Sequence, residues 1–264
     1  MIEINQGESL VENKKDGSKI CSVVPKRIDF CGTRVYKREE GLYYPSVTSI
    51  LGAAPVDPFL IDWLKTAGKN ADWARDKAAR EGTEVHQALE DMVAGKLVDW
   101  KDGFGNARYN LSVWQMILRG ADFFNTYKPK VMASEQFLYS DRYRYAGATD
   151  LLIELNDKKI LVDYKTSNSL SVTYKMQLAA YAKALEEMFN IKVDSTAVLW
   201  LKASTRGPRK GSYQGEGWQL VEYPDIDTNF EAFLKIYDVF KIFNPKVEPY
   251  TKSYPTEIEL EYLK

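Results

Sequence analysis

Two aspartates and a lysine, Asp150, Asp163 and Lys165, stand in the stretch YAGATDLLIELNDKKILVDYKTS, residues 145 to 167. Hard divalent cations prefer carboxylate oxygen, so two aspartates with a lysine within reach have the make-up of a metal-binding active-site pattern. Whether they meet depends on the elements that carry them. The stretch reads as two alternating strands around Asn156-Asp157, and both turn residues tolerate a positive φ, as a two-residue hairpin loop requires. That loop fixes a register in which Leu155 opposes Lys158, Glu154 opposes Lys159 and Asp150 opposes Asp163. Leu151, Ile153, Leu155, Ile160 and Val162 then form a core face, and Asp150, Leu152, Glu154, Lys159, Leu161, Asp163 and Lys165 share the other. Directly opposed Cβ atoms lie roughly 4.5 to 5.5 Å apart, where like charges repel. A divalent cation turns that repulsion into attraction, so the pair reads as a metal cradle within reach of Lys165.

Asp163-x-Lys165 proves little alone, because a carboxylate two residues before a lysine also occurs at Glu12, Asp99 and Asp157. Only the Asp163 instance lies inside an apolar strand. His86, the one histidine in the chain, falls on the shoulder of an apolar helical stripe (Ala78, Gly82, Val85, Leu89, Met92, Val93), one turn after Gly82. Taken alone it reads as a satisfied boundary residue. Gln177 and Tyr181, four apart on one helical face, read either as an ordinary half-buried contact or as groups aimed at the sheet. Glu135, at the start of the strand before Asp150, is a further acidic candidate, with an exposed strand-end charge as its plainer reading.

The frame around these residues alternates between strand and helix patterns. Residues 26 to 44 suggest a small antiparallel element, and PSVTSIL opens a helical region capped by Ser46 or Thr48 that runs with breaks to about Gly95. A helix covers 111 to 127, strands follow at about 134 to 140, 146 to 155 and 159 to 166, and a helix spans about 171 to 189. Strands TAVLWLKA and WQLVEY flank the loop STRGPRKGSYQGEG, and a last helix starts from the capping box Thr228-x-x-Glu231 with Phe230, Phe233, Leu234, Tyr237 and Phe240 as its apolar face. This order predicts an α/β fold with a mixed central sheet flanked by helices. The expected division is an N-terminal extension at 1 to 45, a main domain at 46 to 250 (helical part 46 to 130, sheet core 131 to 250) and a tail at 251 to 264.

Composition narrows the classes. With 264 residues, 45% hydrophobic and 13% aromatic, the chain has the make-up of a globular domain, and a net charge of -1 offers no global field for polyanions. Any anionic partner must be held locally. The loop with Lys202, Arg206, Arg209 and Lys210 is one candidate, against a solvated hairpin tip. Residues 62 to 80 are another: Lys65, Lys69, Arg75, Lys77 and Arg80 surround Trp63 and Trp73, although the tryptophans read first as core. There is no signal-like h-region or apolar run long enough to span a bilayer, which predicts an intracellular protein with no membrane partner. Cys21 and Cys31 cannot supply the four ligands of a zinc or iron–sulfur centre, and no phosphate-loop pattern for a nucleotide is present.

The ordered series Gly82-x-x-x-His86, Glu135, Gly147-x-x-Asp150, Asp163-x-Lys165 and Gln177-x-x-x-Tyr181 resembles the RecB-type branch of the PD-(D/E)XK nuclease superfamily. From PSVTSIL to about residue 204 it is similar to phage and mitochondrial single-strand exonucleases of that branch. Thr149 stands where the nominal motif has proline. The resemblance implies a restriction-endonuclease-like fold. It makes His86, Asp150 and Asp163 metal ligands together with the main-chain carbonyl of Tyr164, and Lys165 the residue that positions or deprotonates the attacking water. Gln177 and Tyr181 would orient the site or contact a phosphate. It further implies one or two Mg²⁺ or Mn²⁺ ions and a DNA substrate, single-stranded or with free ends, threaded under helices that precede the histidine. The setting would be replication, recombination or repair in a bacterial or phage-infected cytoplasm. A single-strand binding protein, a recombinase or a replication protein would be the partner. A structure-specific endonuclease and a catalytically silent DNA-binding module are the competing expectations.

Overall fold

The computed structural model describes residues 26–30, 32–201 and 217–249. Cys21, Cys31, the basic loop residues Lys202, Arg206, Arg209 and Lys210, and the C-terminal tail all lie outside the described residues. Three strands, β1 (Arg27–Phe30), β2 (Thr33–Glu39) and β3 (Leu42–Pro45), form the small antiparallel sheet expected near the N-terminus. The Ser46 side chain then accepts a hydrogen bond from Ser49 N at 3.0 Å and caps α1 (Val47–Leu51). Helices α2 (Pro58–Ala67) and α3 (Ala71–Val93) follow, separated by one 3₁₀ turn, then α4 (Leu111–Tyr127), whose cap Asn110 accepts from Val113 N. Among the described residues, no helix is long and apolar enough to cross a membrane.

The second half is a five-stranded mixed sheet in the order β4 (Lys130–Ser140), β5 (Tyr145–Leu155), β6 (Lys158–Lys165), β7 (Ser195–Trp200) and β8 (Gln219–Tyr223). Neighbours are antiparallel except β6 and β7, whose parallel pairing needs a crossover, provided by α5 (Thr173–Phe189). The last helix, α6 (Ile226–Phe243), begins two residues before the expected capping box, so Thr228 lies inside it and the cap position falls to Asp225. Its expected apolar residues Phe230, Phe233, Tyr237 and Phe240 are buried.

The β5–β6 hairpin turns on Asn156 (φ 52°) and Asp157 (φ 61°), the paired positive φ of a type I′ loop. The register runs as read from sequence, from Leu155 opposite Lys158 to Leu151 opposite Val162. Both faces of the sheet are core, which corrects the expectation of one apolar face. Leu151, Ile153, Ile160 and Val162 pack with residues of α3 and α4, while Leu152 and Leu161 pack under α5 and α6. A sheet covered on both sides holds its strand ends rigidly, and the functional residues stand at one such end.

Candidate metal and catalytic centre

The expected Asp150–Asp163 pair is missing from the ladder, which stops one step earlier at Leu151 and Val162. Strand β6 stays with β7 instead, through Asp163 opposite Val198 and Lys165 opposite Trp200. The splaying of β5 from β6 would orphan the Tyr164 N–H, and a buried orphan donor is costly. Asp150 Oδ2 accepts that N–H at 2.6 Å, so its carboxylate fills the notch between the strands.

A second irregularity faces the notch. Glu135 in β4 has φ +50°, a left-handed conformation that costs a non-glycine residue roughly 1–2 kcal/mol, and it has no partner in the ladder between Ser134–Leu151 and Gln136–Thr149. Facing also changes along β5. A Cβ on Gly147 would lie 2.5 Å from the Tyr181 ring of the α5 core, yet Leu151, which strict alternation puts on the same face, packs in the opposite core. Irregular strand geometry of this kind re-aims side chains.

Helix α3 supplies the remaining acid–base group. At Gly82 the helix comes so close to the end of β6 that a Cβ would sit 3.1 Å from Thr166 Oγ1. One turn later, His86 Nδ1 lies 3.3 Å from Asp150 Oδ1, and its ring meets Tyr164 edge-on at 5.5 Å. Ligand atoms of His86, Glu135 and Asp150 all fall within 4.8 Å of one another. One imidazole and two carboxylates are donors that fit a divalent cation such as magnesium or manganese.

Asp163 stands beside this trio, occupied by other partners. Gln177 Nε2 donates to its Oδ1 at 3.2 Å, and its Oδ2 forms an ion pair with Lys165. Lys165 Nζ also donates to Gln177 Oε1 at 3.4 Å, and Gln177 Nε2 reaches Tyr181 Oη at 3.3 Å. All of His86, Glu135, Asp150, Asp163, Tyr164, Lys165, Gln177 and Tyr181 therefore gather at one end of the sheet. The Tyr164 hydroxyl is buried and, among the described residues, has no hydrogen-bond partner.

Electrostatics at this end are strongly perturbed. Burial works against a charged imidazole, but the Asp150 and Asp163 carboxylates outweigh it and hold His86 at about 9. Burial, Asp150 and Glu90 push Glu135 up to about 8. Asp150 is buried too, yet His86, Lys165 and the Tyr164 N–H keep its carboxyl below the usual range. Asp163 is raised by burial and by Asp150 against the pull of Lys165. Desolvation disfavours the Lys165 ammonium, but Asp163 and Asp150 overcome it and raise that group. Such opposed shifts within one cluster are common where protons and cations are handled.

The candidate nucleic-acid residues lie elsewhere. Arg75 and Arg80 sit on the exposed half of α3, where Arg75 is ion-paired to Asp72 (3.1 Å) and Asp76 (3.2 Å) within the helix. Trp63 and Trp73 are exposed, at 42% and 62%, which overturns the core reading. Helix α2, which carries Trp63, has no buried residue. Two further residues belong to the site: Tyr174, whose ring lies 4.7 Å from Lys165 Nζ, and Glu90, whose charge bears on Glu135 and Asp150. Helical spacing could have found both, three residues before Gln177 and four after His86.

The family model of the PD-(D/E)XK nuclease superfamily matches residues 63–249. Among solved structures, the chain is similar to a Eubacterium rectale protein described as an exonuclease by assignment, with 12% identity over 70% of this chain and 78% of that one and a TM-score of 0.39. It is also similar to an alkaline exonuclease from Laribacter hongkongensis, with 10% identity over 75% of this chain and 89% of that one and a TM-score of 0.32. Comparison with curated protein sequences finds no match.

Proposed function

Since the chain belongs to the PD-(D/E)XK nuclease superfamily, whose members use divalent metal ions, we propose that it is a Mg²⁺- or Mn²⁺-dependent DNA exonuclease acting on single strands or DNA ends. The observation that carries this reading is the convergence of His86, Glu135 and Asp150 within 4.8 Å, next to the Asp163–Lys165 pair. His86, Glu135 and Asp150 would hold a cation, with Asp163 and the Tyr164 carbonyl as the ligands on the β6 side. A bound cation neutralises charge on the phosphate and lowers the pKa of coordinated water. Lys165 positions the attacking water and donates to a phosphate oxygen, while Asp163 and Gln177 hold its Nζ in place. Gln177 links that pair to Tyr181, so α5 orients the site as a unit.

The single-strand preference rests on the exposed arm made by α2 and the first half of α3. Phe59, Trp63 and Trp73 are exposed and offer ring surface to unpaired bases, and Lys65, Lys69, Lys77 and Arg80 stand among them for phosphates. Lys77 Nζ already lies over the Trp73 ring at 5.3 Å. His86 follows Trp73 by thirteen positions along continuous helix, about 20 Å at the α-helical rise. A strand held on the arm would therefore lead toward the notch.

The test is degradation of end-labelled single-stranded, duplex and covalently circular DNA with Mg²⁺, Mn²⁺ or EDTA, comparing the native chain with Lys165→Ala. Metal-dependent loss of linear DNA alone, absent in the variant, is the expected result. Cleavage of the circle would make it an endonuclease, and binding without cleavage would make it a silent DNA-binding module. Replication, recombination or repair is the setting that such an activity would serve.

A further inference from the structure

Lys165 is the last residue of β6 and Tyr174 lies in the first turn of α5. Their contact depends on the connection between them, which is fixed at both ends. Trp200 Nε1 donates to Ser167 O at 2.7 Å, and at the helix entrance Ser171 takes Thr173 N on its Oγ (3.2 Å) and Tyr174 N on its carbonyl (3.1 Å). The ring of Tyr174 is thereby set 4.7 Å from Lys165 Nζ.

The surroundings of Nζ are of three chemical kinds. The Asp163 carboxylate forms the ion pair, Gln177 Oε1 accepts at 3.4 Å, and the aromatic face covers a further side. An ammonium has three donors and a flexible four-carbon stem, so a carboxylate and an amide alone leave it free to swing. A π face attracts the cation without supplying a hydrogen-bond acceptor that would redirect it, and the attraction is strongest where water is excluded. Lys165 is largely buried, with only 17% of its side chain exposed.

We propose that Tyr174 is a positioning residue for phosphodiester hydrolysis: the face of its ring, acting through Lys165, fixes the direction of the ammonium. This rests on the nuclease reading above. The ring is the working part, so Tyr174→Phe keeps kcat within about twofold, whereas Tyr174→Leu lowers kcat about tenfold. KM for DNA and the affinity for Mn²⁺ stay unchanged in both, which general disorder of α5 would not permit. A readout independent of activity is the NMR shift of the Lys165 ε-methylene protons. Ring current displaces it upfield in the native chain and in Tyr174→Phe, and the displacement is lost in Tyr174→Leu. Tyr174→Met, which keeps more length, replaces the leucine variant if that one does not fold. A native chain that cuts no DNA overturns the nuclease reading, before any variant is compared, and the positioning role with it. An active native chain with Tyr174→Leu at native kcat, or with Tyr174→Phe as impaired as Tyr174→Leu, overturns the positioning role alone.

Discussion

Helix α3 is one continuous 23-residue helix with two unlike halves. From Gly82 onward it is anchored, with Val85, Ala88 and Leu89 buried against α4 and the sheet, and it presents His86 to Asp150. Before Gly82 it is nearly all exposed, and α2 beyond it buries nothing. The free half is held by local devices: Pro58 in the first turn of α2 and its cap Asp57, and the pairs Arg75–Asp72 and Lys77–Glu81 at helical spacing. Packing determines the anchored half, where small displacements would move a ligand atom. In the free half Trp73, like Phe59 and Trp63 of α2, is exposed rather than packed in the core, so its removal should alter binding rather than folding.

The sharpest contrast is expected at the centre. Lys165→Ala should lower cleavage on the order of 10²- to 10³-fold, the loss typical of removing a donor aimed at developing charge, measured as initial rate at saturating Mn²⁺. In the anchored half of α3, Leu89→Ala should cost about 2–5 kcal/mol in denaturant unfolding, because Leu89 is fully buried. Gly147→Ala should cost about 1–3 kcal/mol and reduce activity, since Tyr181 must give way. Trp63→Ala and Trp73→Ala should each weaken single-strand binding about tenfold, read by fluorescence titration, and leave unfolding within about 0.5 kcal/mol of native. A large stability loss in either would mean that the arm is packed, and the contrast would fall.

The smallest expected effect is on pH dependence. His86 is raised from 6.5 to about 9, so its stabilising contribution is fully present below pH 6.5 and lost as pH rises through 9. Glu135 is raised from 4.5 to about 8, so the folded chain keeps a proton that the unfolded chain has lost, and stability falls as pH rises between those values. Both have the same sign. Thermal melts without metal should therefore show Tm falling from pH 6 to 9, and added Mn²⁺ should raise Tm more at the alkaline end, where its ligands are deprotonated.

The hairpin register was legible because the Asn156-Asp157 turn and the apolar alternation agree, and the chain succession of three strands, a helix and two strands was read from alternation and turn signals, while the order of those strands in the sheet was not. The gathering of His86, Glu135, Asp150, Asp163, Lys165, Gln177 and Tyr181 was implied by the resemblance of their ordered motifs to a nuclease family, whereas each residue read alone pointed to an ordinary structural role. What alternation could not reveal is the splaying of β5 from β6, because the hydrogen bond that replaces the ladder comes from a side chain, Asp150 to Tyr164 N. The left-handed turn at Glu135 was hidden as well, since glutamate has no special preference for that conformation. Periodicity also misread the first half of α3: Ala78 fits the apolar stripe but is exposed, because a stripe shows which residues share a face and not whether anything covers it.

The central claim is that the notch between β5 and β6 holds a divalent cation. Calorimetric titration of the metal-free chain with Mn²⁺, beside Asp150→Asn, tests it most directly. Saturable binding in the native chain that disappears in the variant is the predicted result. Absence of binding in the native chain, or equal binding in Asp150→Asn, would contradict it.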